Sequence, residues 1–221
     1  MASQTAPSSV APLRTRDAWS QLPAETTPLG RVGQALSQRR IPLTIGMTLL
    51  LFGVNFFIRG LRPRDLLDWW DWPALLGIAL VLCGLAIRSW AAGTLHKIKA
   101  LTTTGPYQHM RHPLYFGSFL MMLGYCAIMW DVLTLAALIL PMLGVYFLVI
   151  RREENLMAAI FPDSWPDYAA RTPRFIPYIP GIPRLTGWSL DQWRKNREYQ
   201  ALVGSALFCG LLIAWYYWPQ S

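Results

Sequence analysis

The sequence predicts an all-α polytopic membrane protein of about five transmembrane helices, and three observations carry the prediction. Hydrophobic residues make up 53% of the 221 residues and charged ones only 14%, against about 45–50% and 25% in soluble domains. The apolar residues gather into five runs of 17 to 20 residues, close to the length that crosses a hydrocarbon core of about 30 Å. The 20 Lys and Arg residues fall mostly on alternate connections between these runs, as the positive-inside rule requires.

Met1 to Arg40 is rich in Ser, Thr, Pro, Ala and Gln. It is expected to be a flexible cytoplasmic arm with an interfacial helix near Leu29–Gln38. It holds no continuous apolar core, so no cleavable signal peptide is expected and the first apolar run should itself direct insertion. Residues 41–221 are expected to form one membrane-embedded domain. Its first run, Ile41–Ile58, is uncharged. Arg59–Trp72 mixes three Arg with three Asp and ends in Trp69, Trp70 and Trp72, an interfacial aromatic belt.

Pro73 to Ala92 is the second run, with Arg88 near its far end where the side chain can snorkel. Leu114–Trp130 and Val132–Ile150 are separated only by Asp131. So short a connection predicts a tight antiparallel helical hairpin over 114–150, because strands would leave backbone groups unsatisfied in lipid. Arg151–Gln200 is polar and proline-punctuated, with an interfacial helix near Trp188–Tyr199. The last run, Ala201–Trp218, predicts a C-terminal transmembrane helix.

Five cations lie in residues 1–40, three in 92–113 and eight in 151–200, against three in 59–72. The N-terminus and both polar stretches therefore group on the cytoplasmic side. This distribution accounts for the net charge of +8 without a nucleic-acid partner. Cys83, Cys126 and Cys209 each sit in an apolar run with no metal-binding spacing and read as small buried hydrophobes. Three histidines in the chain, two of them separated by Pro113 from any common helix, argue against a metal. Neither GxGxxG nor GxxxxGK[ST] occurs, so any nucleoside cofactor must be held by a helical scaffold.

Chemistry is concentrated in Gly105-Pro106-Tyr107-Gln108-His109-Met110-Arg111-His112-Pro113-Leu114-Tyr115-Phe116-Gly117. Pro113 disfavours the α region at His112 and suits the first turn of a helix. The hairpin returns Arg151-Arg152-Glu153-Glu154 to the same membrane face, beside Arg111 and His112. Glu153 and Glu154 either sit in solvent behind stop-transfer arginines or pair with Arg111, Arg151 or Arg152. Gly117 either opens a helix face to a ligand or packs against a neighbouring helix.

The run GPYQHMRHPLYFG, followed by EENLMAAIFPDSWPDYAARTPRFIP, resembles the isoprenylcysteine carboxyl methyltransferase and phospholipid methyltransferase superfamily of integral membrane enzymes. The resemblance covers roughly residues 88–177, leaving the arm and the helix at 201–218 outside it. It implies S-adenosyl-L-methionine at the cytoplasmic face and a lipophilic or lipid acceptor entering from the bilayer. On that resemblance Tyr107 and His112-Pro113-Leu114-Tyr115 wall the cofactor, Gly117 gives it room, and Lys99, Leu101 and Thr102 lie along it. Glu153 accepts from the methionine ammonium with Glu154 beside it, and Arg111 orients a carboxylate or holds the site's electrostatics. The sequence departs from the pattern at Lys99, where many members have His, at Pro162, where Gly usually follows Phe, and at Trp165, which replaces the first spaced Tyr.

The expected activity is methyl transfer to an isoprenylcysteine-type carboxylate. Phospholipid amine and thiol acceptors stay as alternatives, and a non-enzymatic scaffold binding anionic lipid is the remote one. An amine acceptor needs a base, which Glu154 or His112 could supply.

Overall fold

A computed structural model describes residues 28–97, 99–178 and 187–219. Among them the chain forms seven α-helices. These are α1 (Pro28–Phe57), α2 (Trp72–Thr94), α3 (Pro113–Met129), α4 (Val132–Ile160), α5 (Trp165–Arg171), α6 (Leu190–Lys195) and α7 (Tyr199–Tyr216), with a 3₁₀ turn at Gly105–Gln108. The all-helical expectation holds, and each of the five apolar runs is a helix.

Three of the helices, α2, α4 and α7, are long and apolar enough to cross a membrane, while the apolar parts Pro42–Phe57 and Pro113–Met129 are shorter. Residues 28–40 join the first apolar run in one continuous helix in place of an arm and a separate short helix. The rest of the expected arm, residues 1–27, lies outside the described residues.

The hairpin follows from local chemistry. Pro113 opens α3, with His112 outside the α region at φ −125° and ψ 58° before it. Trp130 ends α3 in the left-handed region at φ 47°, and Asp131 caps α4 by accepting from the Thr134 amide at 2.8 Å. A polar clamp locks this turn to α1. Arg59 pairs with Asp131 at 2.7 Å and holds its carboxyl well below the usual carboxylate range. Fully buried Asn55 donates to Thr134 Oγ1 at 2.8 Å.

α4 is 29 residues long, roughly 43 Å at 1.5 Å per residue. Its first nineteen residues, 132–150, fill a hydrocarbon core of about 30 Å, so the segment from Arg151 to Ile160 projects beyond it.

The centre of the fold is the α2–α3 crossing, built on glycines. A Cβ on Gly84 would come 2.5 Å from the Gly117 carbonyl oxygen, one on Gly117 2.7 Å from that of Gly84, and one on Gly124 2.6 Å from that of Gly77. Only glycine permits such an approach, the small-residue contact by which helices pack in lipid. What the missing side chain of Gly117 makes room for is therefore α2. Phe52, Val81, Leu85, Tyr125, Ile128 and Leu212 extend the core to α1 and α7, and Met122 and Cys126 of α3 meet Leu138, Met142 and Tyr146 of α4.

Gly84→Leu and Gly124→Leu should each reduce thermal stability by at least the 1–3 kcal/mol typical of overpacking. Gly204→Leu, whose Cβ meets nothing within 4 Å, should be neutral. Thermal unfolding in detergent, followed by size-exclusion fluorescence, compares the three, and equal tolerance would refute the packing role.

Past the membrane core, α6 caps the end of α2. Asn196 donates to the Ala92 and Leu95 carbonyls at 2.7 and 3.0 Å, the Ser189 amide donates to Gly93 O at 2.9 Å, and Gln192 also donates to Leu95 O. Carbonyls in the last turn of a helix have no intrahelical partner, so these bonds fix α6 and set where α7 begins.

Candidate functional site

Three segments far apart in sequence converge at the projecting end of α4. The first is 105–117, the second 151–154 and the third 161–178. The irregular segments 107–112 and 172–178 run alongside each other, joined by the Arg111 amide to Pro173 O at 2.9 Å and the Tyr178 amide to His109 O at 3.0 Å. Tyr168 adds its hydroxyl to Tyr107 O at 2.8 Å.

Glu154 is the hub. It is only 7% exposed, and a buried carboxylate needs charged or hydrogen-bonding partners. Arg111 Nη1 lies 2.9 Å from Oε1, His112 Nε2 donates to the same oxygen at 3.1 Å, and Arg174 grips both oxygens through Nε at 3.0 Å and Nη2 at 2.7 Å. Of the partners expected for the glutamates, Arg111 serves Glu154; Arg151 is exposed, and Arg152 is buried in α4.

Glu153 sits on the other side of the helix corner. The Tyr115 hydroxyl donates to its Oε1 at 2.9 Å, and the Tyr115 ring meets Tyr146 edge-on at 5.0 Å and His112 at 5.9 Å. Burial pushes the Tyr107 hydroxyl well above its ordinary pKa, with the charges of Tyr168, Glu153 and Glu198 adding to it. Burial likewise raises Tyr168, while Arg111 pulls it back.

The structure thus gathers Arg111, His112 and Glu154 in one cluster and Tyr115 with Glu153 in another. Tyr107 and Pro113 are buried beside them. Leu101 packs on Phe161, Trp165 and Tyr168, so Trp165 is a core residue where the resemblance expected a tyrosine. Thr102 is buried and accepts from the His96 amide at 3.1 Å. Lys99 stays exposed on the preceding turn. Leu114 offers its carbonyl to Arg88 at 3.4 Å and to Ser118 at 2.9 Å.

Two residues were missed. Arg174 was visible as the Arg of the Pro-Arg pair in the third segment, but nothing local ties it to Glu154. Glu198 lies outside every motif; it pairs with Arg88 at 2.8 Å, so Arg88 is held inside the protein in place of snorkelling to the interface.

The donor set suits an amino-acid-bearing cofactor. Glu153 is half-buried and supplies a carboxylate for an ammonium. Arg111 Nε is buried with no hydrogen-bond partner among the described residues, a donor left for an incoming anion. Among those residues no group of three His, Cys, Asp or Glu side chains could hold a metal ion.

The phospholipid methyltransferase family matches residues 72–164, spanning α2 to the end of α4. A nickel-cobalt-cadmium resistance protein, NccN, of Alcaligenes xylosoxydans xylosoxydans is 38% identical over 143 residues, covering 62% of this chain and 61% of that protein. A cobalt-zinc-cadmium resistance protein, CzcN, of Cupriavidus metallidurans is 38% identical over 148 residues, covering 65% of this chain and 67% of the relative. A protein-S-isoprenylcysteine O-methyltransferase of Schizosaccharomyces pombe is 29% identical over 102 residues, 46% of this chain and 43% of that enzyme. The chain thus spans about three fifths to two thirds of the resistance proteins and under half of the isoprenylcysteine enzyme. No solved structure matches. The matched stretch holds the glycine crossing, the Arg-His-Pro-x-Tyr-x-Gly run and both glutamates; over it the chain matches the phospholipid methyltransferase family, and the chain belongs to one family with CzcN, two thirds of whose length it covers.

Proposed function

We propose that this protein is an S-adenosyl-L-methionine-dependent methyltransferase acting on a lipophilic acceptor, with an isoprenylcysteine-type carboxylate as the leading acceptor class. A phospholipid amine or a thiol is the alternative. The observation that carries the reading is the paired glutamates at the end of α4, Glu153 on Tyr115 at 2.9 Å and Glu154 on Arg111 at 2.9 Å. The cofactor, when bound, supplies an electrophilic methyl on a sulfonium.

In this reading Glu153 and Tyr115 hold the methionine ammonium, Tyr107, His112, Pro113 and Leu114 wall the site, and Leu101 and Thr102 border it. Arg111 steadies an incoming carboxylate. Alignment and exclusion of water are the protein's main contributions, since the sulfonium charge disappears in the transition state. The cation distribution along the sequence supports a site facing the cytoplasm.

Calorimetric titration of S-adenosylhomocysteine into detergent-purified protein tests the reading. The wild type should bind, and Glu153→Gln should weaken binding at least tenfold, about 1.4 kcal/mol. No heat and no thermal stabilisation at millimolar ligand would reject it in favour of a non-enzymatic scaffold.

A second reading follows from the two resistance proteins, each 38% identical across the same core. Here methyl transfer serves tolerance to nickel, cobalt, zinc or cadmium. Growth of a metal-sensitive bacterial host on these salts should then improve with the wild type and not with Glu153→Gln. Equal growth with both would exclude a role for methyl transfer in tolerance.

A further inference from the structure

The bonds that hold α6 also fix its depth. The candidate span of α2 ends at Thr94 and that of α7 begins at Tyr199. Asn196 donates to the Ala92 and Leu95 carbonyls and Gln192 to Leu95 O, and only Asn196, Arg197 and Glu198 separate α6 from α7. An element bonded to the end of one span and leading straight into the next lies at headgroup level. Two indoles mark the same depth, where tryptophan concentrates in membrane proteins. Trp188 Nε1 donates to Ser89 O at 3.1 Å and Trp193 Nε1 to Ser89 Oγ at 3.3 Å.

With one face of α6 committed to α2, the outward face is basic. Arg194, Lys195 and Arg197 are all exposed, and none has a side-chain hydrogen bond or ion pair among the described residues. Asp191 is the one acid within α6, and Glu198 is buried on Arg88. Lys97, exposed past the end of α2, adds a fourth cation, near enough for its charge to act on Glu198. Arg197 stands in the left-handed region at φ 57°, a costly backbone for a residue with a Cβ. Its amide donates to Arg194 O at 2.9 Å, which folds it back onto the end of α6. Glycine would relax that backbone; arginine brings charge.

Unpaired cations at the membrane surface are complementary to an anionic headgroup. A zwitterionic headgroup offers the same phosphate together with an ammonium, which meets like charge here. Trp188, Leu190 and Tyr199 are exposed on the same segment and suit the acyl chains of a lipid better than a phosphate free in solution. We propose that the outward face of α6 and its turn into α7 bind the headgroup of an anionic phospholipid through Arg194, Lys195 and Arg197. Lipid bound there holds α6 on α2, and with it Glu198 on Arg88. Arg88 in turn reaches Leu114 O and Ser118 Oγ, so the composition of the leaflet acts on the first turns of α3. Nothing in the site draws on Glu153, Glu154 or a methyl donor.

Native mass spectrometry of the full chain in detergent, titrated with phosphatidylglycerol or phosphatidylcholine of the same acyl chains, tests the site. Phosphatidylglycerol should be retained at least tenfold more tightly, about 1.4 kcal/mol, and Arg194→Gln/Lys195→Gln/Arg197→Gln should erase the preference. Arg62→Gln/Arg64→Gln, which removes exposed cations from the loop before α2, should keep it. Arg197→Gly should weaken retention without lowering the melting temperature, and it serves if the triple variant does not fold. Hydrogen exchange of residues 189–198 in phosphatidylcholine nanodiscs should slow when an equal part of phosphatidylglycerol is included, and not when glycerol phosphate is added to the buffer. Equal retention of the two lipids overturns the inference, as does a triple variant or an Arg197→Gly variant with wild-type preference. A matching loss in Arg62→Gln/Arg64→Gln would reduce the effect to general attraction, and equal slowing by glycerol phosphate would make this a site for a soluble phosphate; either result overturns it.

Discussion

Glu154→Gln is expected to abolish methyl transfer and to destabilise the protein markedly. The carboxylate is 7% exposed; it compensates Arg111, whose side chain is 14% exposed, and hydrogen-bonds His112, at 8%. Removing one partner of a buried ion pair typically costs about 3–5 kcal/mol because the other charge is left uncompensated. Arg174, at 54% exposure, returns to solvent at little cost, so the lower end of that range applies. The amide keeps the volume of the side chain and one acceptor oxygen, while it removes the charge and replaces the other acceptor with an NH2 donor that faces Arg111, His112 and Arg174. The melting temperature and the methyl-transfer rate should both fall in Glu154→Gln, while Glu153→Gln, whose amide oxygen can still accept from the Tyr115 hydroxyl, should lose cofactor affinity with little loss of stability. A Glu154→Gln protein with wild-type melting and turnover would show that the hub is dispensable.

This hub was half legible in the sequence, and the division has a physical cause. Pro113, Trp130 and Asp131 are local signals, and they set the hairpin; once the hairpin exists, helix geometry brings Arg111 and His112 to Glu154. Arg174 reaches the same carboxylate only because the irregular segment 172–178 returns along 107–112, through backbone bonds such as Arg111 N to Pro173 O. No hydrophobic period encodes that return. Gly117 shows the same limit from the other side. Its sequence neighbours allow a ligand-facing or a packing glycine, and its contact is Gly84, on a helix whose register cannot be read from either segment alone. The first helix differs for a further reason. Leu29, Val32 and Leu36 recur at helical spacing and predict a short helix, but no local signal says that it runs on through Pro42 into the apolar helix behind it.

The Arg88–Glu198 pair carries the second large effect, because it ties the last helix to the motif core. Arg88 Nε and Nη2 hold the two Glu198 oxygens at 2.8 and 3.0 Å, and Nη1 reaches Leu114 O at 3.4 Å and Ser118 Oγ on the first turns of α3. Those turns carry Tyr115. Arg88 is 22% and Glu198 5% exposed, so Arg88→Met should cost about 3–5 kcal/mol at neutral pH by stranding the glutamate. The double variant Arg88→Met/Glu198→Leu should recover much of that loss, since apolar replacement of both partners of a buried pair is often near neutral.

The pH dependence gives a sign that packing defects do not share. Burial pushes the Glu198 carboxyl above its ordinary pKa, with Arg88 pulling it back. A raised native pKa means that the folded state holds the proton more tightly than the unfolded chain. This contribution to stability is fully present below the ordinary carboxyl pKa and is lost as pH rises through the native one. Without Arg88 the native pKa climbs further and the affected window widens upward. The destabilisation of Arg88→Met relative to wild type should therefore shrink as pH falls from 7 toward 5, and that of Glu198→Leu should not. Melting curves of the two single variants across that range decide the matter; parallel pH profiles would mean that Glu198 is not the charge Arg88 neutralises.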